Sequence, residues 1–204
     1  MRTASTAALP LLLVSLLVLC GCGGSGSPDP VTVTLVAAFD NLNGRVGSTG
    51  QVDFGDPDVG DQTAGRGLRG FVSFEIGTLP AGATVESATL ILQTYYVGGA
   101  PFTKLGSLLV DHVVYGTVLE AGAYARSPLT AGVGVLASDA TLGPKSVVVT
   151  AQLQTDLRSG HAQSQYRLRF PLENNGDTVE DFVDIYGAST AEPERRPRLV
   201  VTYR

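Results

Sequence analysis

The sequence predicts an all-β fold, an antiparallel β-sandwich carrying one short helix. Two observations carry that prediction. Strand-like runs alternate with turn clusters at fairly regular spacing from Val31 to Arg204, the pattern of a sandwich or barrel. The composition agrees, with 25 glycines, 11 prolines, one methionine, many Val and Thr, and little sustained helical periodicity.

The chain begins with Arg2, a small polar patch and the apolar run Ala7 to Leu19, which ends at Leu19-Cys20-Gly21-Cys22. A charged start, an apolar middle and a small-residue boundary are the marks of an export signal. A spanning helix would need about 20 apolar residues. The Leu-Cys-Gly-Cys end resembles the lipobox of bacterial lipoproteins. In that resemblance Gly21 suits cleavage before Cys22, whereas the bulky Leu19 disfavours Cys20, so Cys22 is expected to carry lipid. Residues 1–21 are then a lipoprotein signal peptide, and residues 22–30, CysGlyGlySerGlySerProAspPro, a flexible tether. Acyl chains hold a protein at a membrane through about 0.8 kcal/mol per buried methylene. An exported, lipid-anchored location on the cell envelope is expected. Gly23, rather than an aspartate after the cysteine, resembles lipoproteins of the outer membrane where a source has two.

Residues 31–204 are expected to form a single domain, long enough for a well-buried core. Strands are expected at Val31–Val36, Phe71–Ile76, Ser87–Val97, Ser107–Tyr115, Lys145–Thr150, Gln165–Leu172, Phe182–Tyr186 and Arg198–Tyr203. In the run from Gln165 to Phe170, Tyr166, Leu168 and Phe170 share one face of the pleat while Gln165, Arg167 and Arg169 share the other. The same alternation turns Leu199, Val201 and Tyr203 inward. Ala151–Arg158 reads as the short helix, stopped by Ser159-Gly160.

Three segments resemble the DNRLRE-domain proteins. They are GLRGFVSFEIGTLPAGATVESATLILQ (Gly67–Gln93), VVVTAQLQTDLRSG (Val147–Gly160) and DFVDIYGASTAEPERRPRLVVTYR (Asp181–Arg204). They occur in that family's order and span most of the chain after the tether. Modules of that kind are similar to carbohydrate-binding module family 96, so the resemblance implies a β-jelly roll and a polysaccharide ligand, acidic glycans such as alginate among them. The tryptophans common in the family are absent here, and Tyr115 ends the corresponding strand. Glycan contact would therefore fall to tyrosines, Tyr95, Tyr96 and Tyr124, or to arginines.

Without Arg2 the chain has 13 basic residues (14 − 1) against 19 acidic ones. That balance disfavours nucleic acid, which needs a dense basic surface. An acidic polysaccharide would need a local basic face. Arg167 and Arg169 share a pleat face, and Arg69 is opposite in parity to Val72, Phe74 and Ile76, so these three are the candidate ligand-binding arginines. Asp53, Asp56, Asp58 and Asp61 in DFGDPDVGD raise the expectation of a structural calcium, which takes about six to eight oxygens. The spacing is not that of an EF-hand, and Pro57 and Gly60 equally suit a surface turn. His112 and His161 have no nucleophile elbow beside them, and Glu173, Asp177, Glu180, Asp181 and Asp184 cluster in one turn-rich segment. A non-enzymatic role is expected. Three classes remain: a tethered glycan-binding module, a structural envelope lipoprotein with a protein partner, and a polysaccharide-degrading enzyme.

Overall fold

The computed structural model describes residues 28–38, 41–63 and 65–204. The expected signal segment and the expected lipid-bearing Cys22 lie outside them, as does most of the expected tether.

Twelve strands are present among the described residues: Val31–Val36 (β1), Gly44–Gly47 (β2), Val52–Phe54 (β3), Val59–Gln62 (β4), Arg66–Glu75 (β5), Val85–Gly98 (β6), Leu108–Val113 (β7), Thr130–Ala137 (β8), Gly143–Val148 (β9), Gln163–Arg169 (β10), Asp181–Ile185 (β11) and Arg198–Tyr203 (β12). Every pairing is antiparallel. The chain is an all-β sandwich. Eight strands fall where the alternation places them. The other four, β2, β3, β4 and β8, carry glycines or aspartates in place of alternating β-branched residues.

Two layers face each other. In the first, the 14-residue β6 is central. It has β12 and then β1 on one edge, β11 farther along that edge, and β9 on the other edge. In the second, β5 is central, with β2 and β3 on one edge and β4 and β10 on the other, followed by β7 and β8. The β4–β11 pair joins the layers. That junction requires Gly60, at φ +145°, because a Cβ there would lie 2.2 Å from the Asp181 carbonyl oxygen.

The core between the layers is one cluster that includes Val72, Phe74, Leu90, Leu92, Val110, Tyr166, Leu168, Val183, Leu199 and Val201. Pleat parity selects these residues, as the sequence predicts for Tyr166, Leu168 and Leu199. A second, smaller cluster lies on the outer face of the β5 layer, where Phe71 and Val46 pack with Tyr115, Leu119 and Ala123 of the β7–β8 connection. Tyr115 sets its ring edge-on to Phe71 at 5.4 Å, and its hydroxyl donates to the Leu42 carbonyl at 2.8 Å. A connection thus covers a sheet face that strand alternation alone would leave open.

The helix Thr150–Ser159 ends at Gly160 with φ +69°, a left-handed cap that glycine adopts without steric cost. It is pinned to the sheet through Leu153 and the fully buried Asp156. The Asp156 carboxylate accepts from His112 Nε2 at 2.9 Å, His161 Nδ1 at 2.9 Å and Ser164 Oγ at 2.6 Å. Both histidines therefore serve a buried structural network, in which an unpaired carboxylate would be costly. Among the described residues no helix is long and apolar enough to cross a membrane.

Candidate functional site

Two polar regions contain the residues that the sequence singles out. The first is the outer face of the β5 layer. Arg167 on β10 is only 4% exposed. Its Nη2 donates to Asp111 Oδ2 at 2.7 Å, and its Nη1 donates to the carbonyls of Arg126 at 2.7 Å and Tyr124 at 3.2 Å. Arg169 Nε donates to the same Asp111 oxygen at 2.8 Å. Burial alone would raise the Asp111 pKa. Hydrogen bonds from Arg169, the Gly132 N–H and Arg167 outweigh burial and hold it below the usual carboxylate value.

Arg69 on β5 pairs with Glu173, donates to the Tyr124 carbonyl, and stacks its guanidinium 4.3 Å from the Tyr124 ring centroid. The Tyr124 hydroxyl donates to Glu173 at 2.8 Å, and burial first, then that hydrogen bond, push its pKa up to about 12. The structure brings Arg69, Arg167 and Arg169 onto one face, as parity predicts. It also places them beneath or against the β7–β8 connection, paired with Asp111 and Glu173.

The second region is a cleft of about 390 Å³ at the β4–β11 junction. Asp56, Asp58, Asp184, Glu180, Arg45 and Tyr95 supply its polar lining, with Gln62, Leu68 and Phe182. A register shift between Asp184 and Ile185 leaves Tyr95 as an extra residue on β6, since Asp184 pairs with Tyr96 and Ile185 with Thr94. Bulges of this kind redirect a side chain, and here the redirected ring lines the cleft while packing against Tyr186 at 4.5 Å between centroids.

The aspartates of DFGDPDVGD act as latches on β11 and its flanks. Asp56 Oδ1 accepts the Gly187 N–H at 2.8 Å, Asp58 Oδ1 that of Ile185 at 3.2 Å, and Asp61 Oδ1 that of Asp181 at 2.9 Å. Asp53 instead accepts from Gln51 at 2.8 Å and from Arg45 at 3.3 Å. The four carboxylates do not converge, and the Arg45 guanidinium bridges Asp53 and Asp58. Among the described residues no group of three or more His, Cys, Asp or Glu side chains gathers to hold a metal. Calcium would need those oxygens turned toward one point.

Charge in the cleft is unbalanced. Asp58 is 4% exposed, and burial, followed by the nearby Asp184, raises its pKa to about 6 despite the Ile185 N–H and Arg45. Burial also raises Asp184, with Arg45 opposing and Asp56 adding to the shift. A half-buried aromatic ring, several acceptors and one guanidinium therefore share a concave, polar site.

Sequence reasoning singles out Tyr95 and two of the cleft aspartates, Asp56 and Asp58. It passes over Arg45 and gives Asp184 no special weight. Asp184 had a usable signal. In DFVDI, Val183 and Ile185 face the core, so Phe182 and Asp184 must share the opposite face. Arg45 had none, since GRVG lacks a strand pattern. The chain matches no protein-family model, and a search of curated proteins finds no match to it.

Proposed function

We propose that the folded chain is a non-catalytic, lipid-tethered module of the cell envelope that binds polysaccharide in the β4–β11 cleft. The observation that carries this reading is the Tyr95 ring set beside Asp56, Asp58, Asp184 and Arg45 in one cavity. Sugars present hydroxyl donors around a ring with apolar C–H faces. Carboxylates accept from those hydroxyls in charge-assisted hydrogen bonds, and an aromatic side chain packs against the C–H face.

The same lining selects among glycans. Four carboxylates against one guanidinium repel uronates, so the cleft suits a neutral polysaccharide. The arginines of the β5 layer, which would suit an acidic one, are largely spent on Asp111, Glu173 and backbone carbonyls. A role without turnover is supported by Asp56 and Asp58 being held by the Gly187 and Ile185 N–H groups, Asp58 also by Arg45.

Titration calorimetry against neutral and uronate polysaccharides tests the proposal. The expected result is binding of a neutral glycan, weakened about tenfold or more in Tyr95→Ala and Asp184→Asn. Release of new reducing ends would favour the enzyme reading. Absence of binding to either glycan class would favour the structural lipoprotein with a protein partner.

A further inference from the structure

The strand β1 is an unguarded sheet edge. It pairs with β12 from Val31↔Tyr203 to Val36↔Arg198, and among the described residues it pairs with no other strand. The nearest additional backbone bond, Ala37 N–H to the Pro197 carbonyl, falls on the same side. Among the described residues, one row of β1 N–H and C=O groups is therefore without a strand partner. Natural edges are normally blunted by charge, proline, bulges or shortness. The β9 edge has Pro144 and Lys145, and β3 is three residues long and includes Asp53. VTVTLV has none of these devices across six residues.

The edge is complementary to itself. Val33 and Leu35 pack on the core, whereas Thr32 and Thr34 are exposed on the opposite face. Antiparallel pairing of two copies about a two-fold axis at Val33 keeps this parity: Thr32 meets Thr34 of the second copy, Val31 meets Leu35, and Val33 meets itself. The ends match in charge as well. Asp29 precedes β1, while Arg198 sits beside Val36 at the far end, with Nε buried and without a hydrogen-bond partner. In this register Asp29 of one copy stands two strands from Arg198 of the other, about 10 Å between backbones. A net charge of −5 opposes association of two copies elsewhere on the surface, but the edge itself bears no charge.

We propose that β1 pairs antiparallel with β1 of a second copy, making the chain a two-fold dimer with one sheet continuous through both molecules. Such isologous contacts are the commonest route to a homodimer.

Sedimentation equilibrium of the full chain in density-matched detergent, across a concentration series, tests this, with melting followed by circular dichroism. The wild type is expected to form a concentration-dependent dimer. Thr32→Lys/Thr34→Lys sets two pairs of like charges across the axis and should weaken the dimer by about tenfold or more. Thr32→Lys/Thr34→Glu alters the same exposed positions but creates two Lys–Glu pairs, so it should dimerise at least as tightly as wild type. A wild type that stays monomeric overturns the proposal. So does a double-lysine variant that dimerises like wild type, which would assign association to another part of the chain. A Lys/Glu variant as weak as the double-lysine one would overturn the register.

Discussion

The two layers of the sandwich present very different outer faces, although both obey the same pleat alternation. On the β5 layer, outward residues meet the long β7–β8 connection, and Arg167, Asp111 and Gln165 are buried beneath it. Gln165 there accepts the Tyr115 N–H at 2.9 Å and donates to the Gly116 carbonyl at 2.8 Å, tying the connection to the sheet. On the β6 layer the outward residues of the described chain stay more open. The row Thr34, Val200, Thr89 and Val148 runs in register across four strands, and Val148 is 68% exposed. Parity decides which way a side chain points. The length and packing of the next connection decide whether that side is wet.

The largest expected effect that would break this comparison belongs to Arg167. Arg167→Ala leaves Asp111 under the connection with Arg169 as its one remaining arginine. Because a buried pair is being opened, stability should fall by about 3 kcal/mol, measured by urea unfolding. A loss below about 1 kcal/mol would mean that the connection readily admits water, and the two faces would then differ little.

A smaller effect sharpens the contrast between the ion network and the cleft, through pH. The folded pKa of Asp58 is raised to about 6 from 3.8, so its contribution to stability is fully present below about 4 and is lost as pH rises through 6. Asp111 is shifted the other way, so its contribution is present above about 4 and is lost as pH falls further. The melting temperature should therefore rise between pH 7 and 5 and fall below 4. In Asp58→Asn the gain on the acid side should shrink by an amount on the order of 1–3 kcal/mol, while the part due to Asp184 and the loss below pH 4 remain. A flat profile from pH 7 to 5 in the wild type would remove Asp58 as a strained carboxylate.

The smallest effect lies on the bare face. Thr89→Lys, midway along the exposed row, should change stability by less than about 0.5 kcal/mol in the same urea assay. A larger loss would indicate that something covers that row.

These contrasts mark what was legible in the sequence. Strong alternation in QYRLRF and RLVVTY was enough to place β10, β12 and their inward residues, because period 2 maps directly onto two faces. The burial of Arg167 was not legible. It depends on Tyr115, Leu119 and Ala123 packing over Phe71, a contact between segments distant in sequence. DFGDPDVGD read as a turn or a cation loop because aspartate spacing does not reveal partners. Three of its four carboxylates, those of Asp56, Asp58 and Asp61, take backbone N–H groups of β11 and its flank. The cleft was half legible, since Tyr95 could be named as an aromatic, but the register shift that redirects it arises only from pairing with β11.

The pairing of Val31 with Tyr203 sets the first strand's start beside the last strand's end. A short glycine-rich bridge from Arg204 to Asp29 would therefore close the folded chain into a ring with little distortion. New ends could then open at the exposed β8–β9 turn around Ala140, since β9 begins beside Thr94 whereas the joined ends lie beside Val85, at the other end of β6. The fold should survive such rewiring, and a tether attached at the new position would present the molecule to a surface in a different orientation.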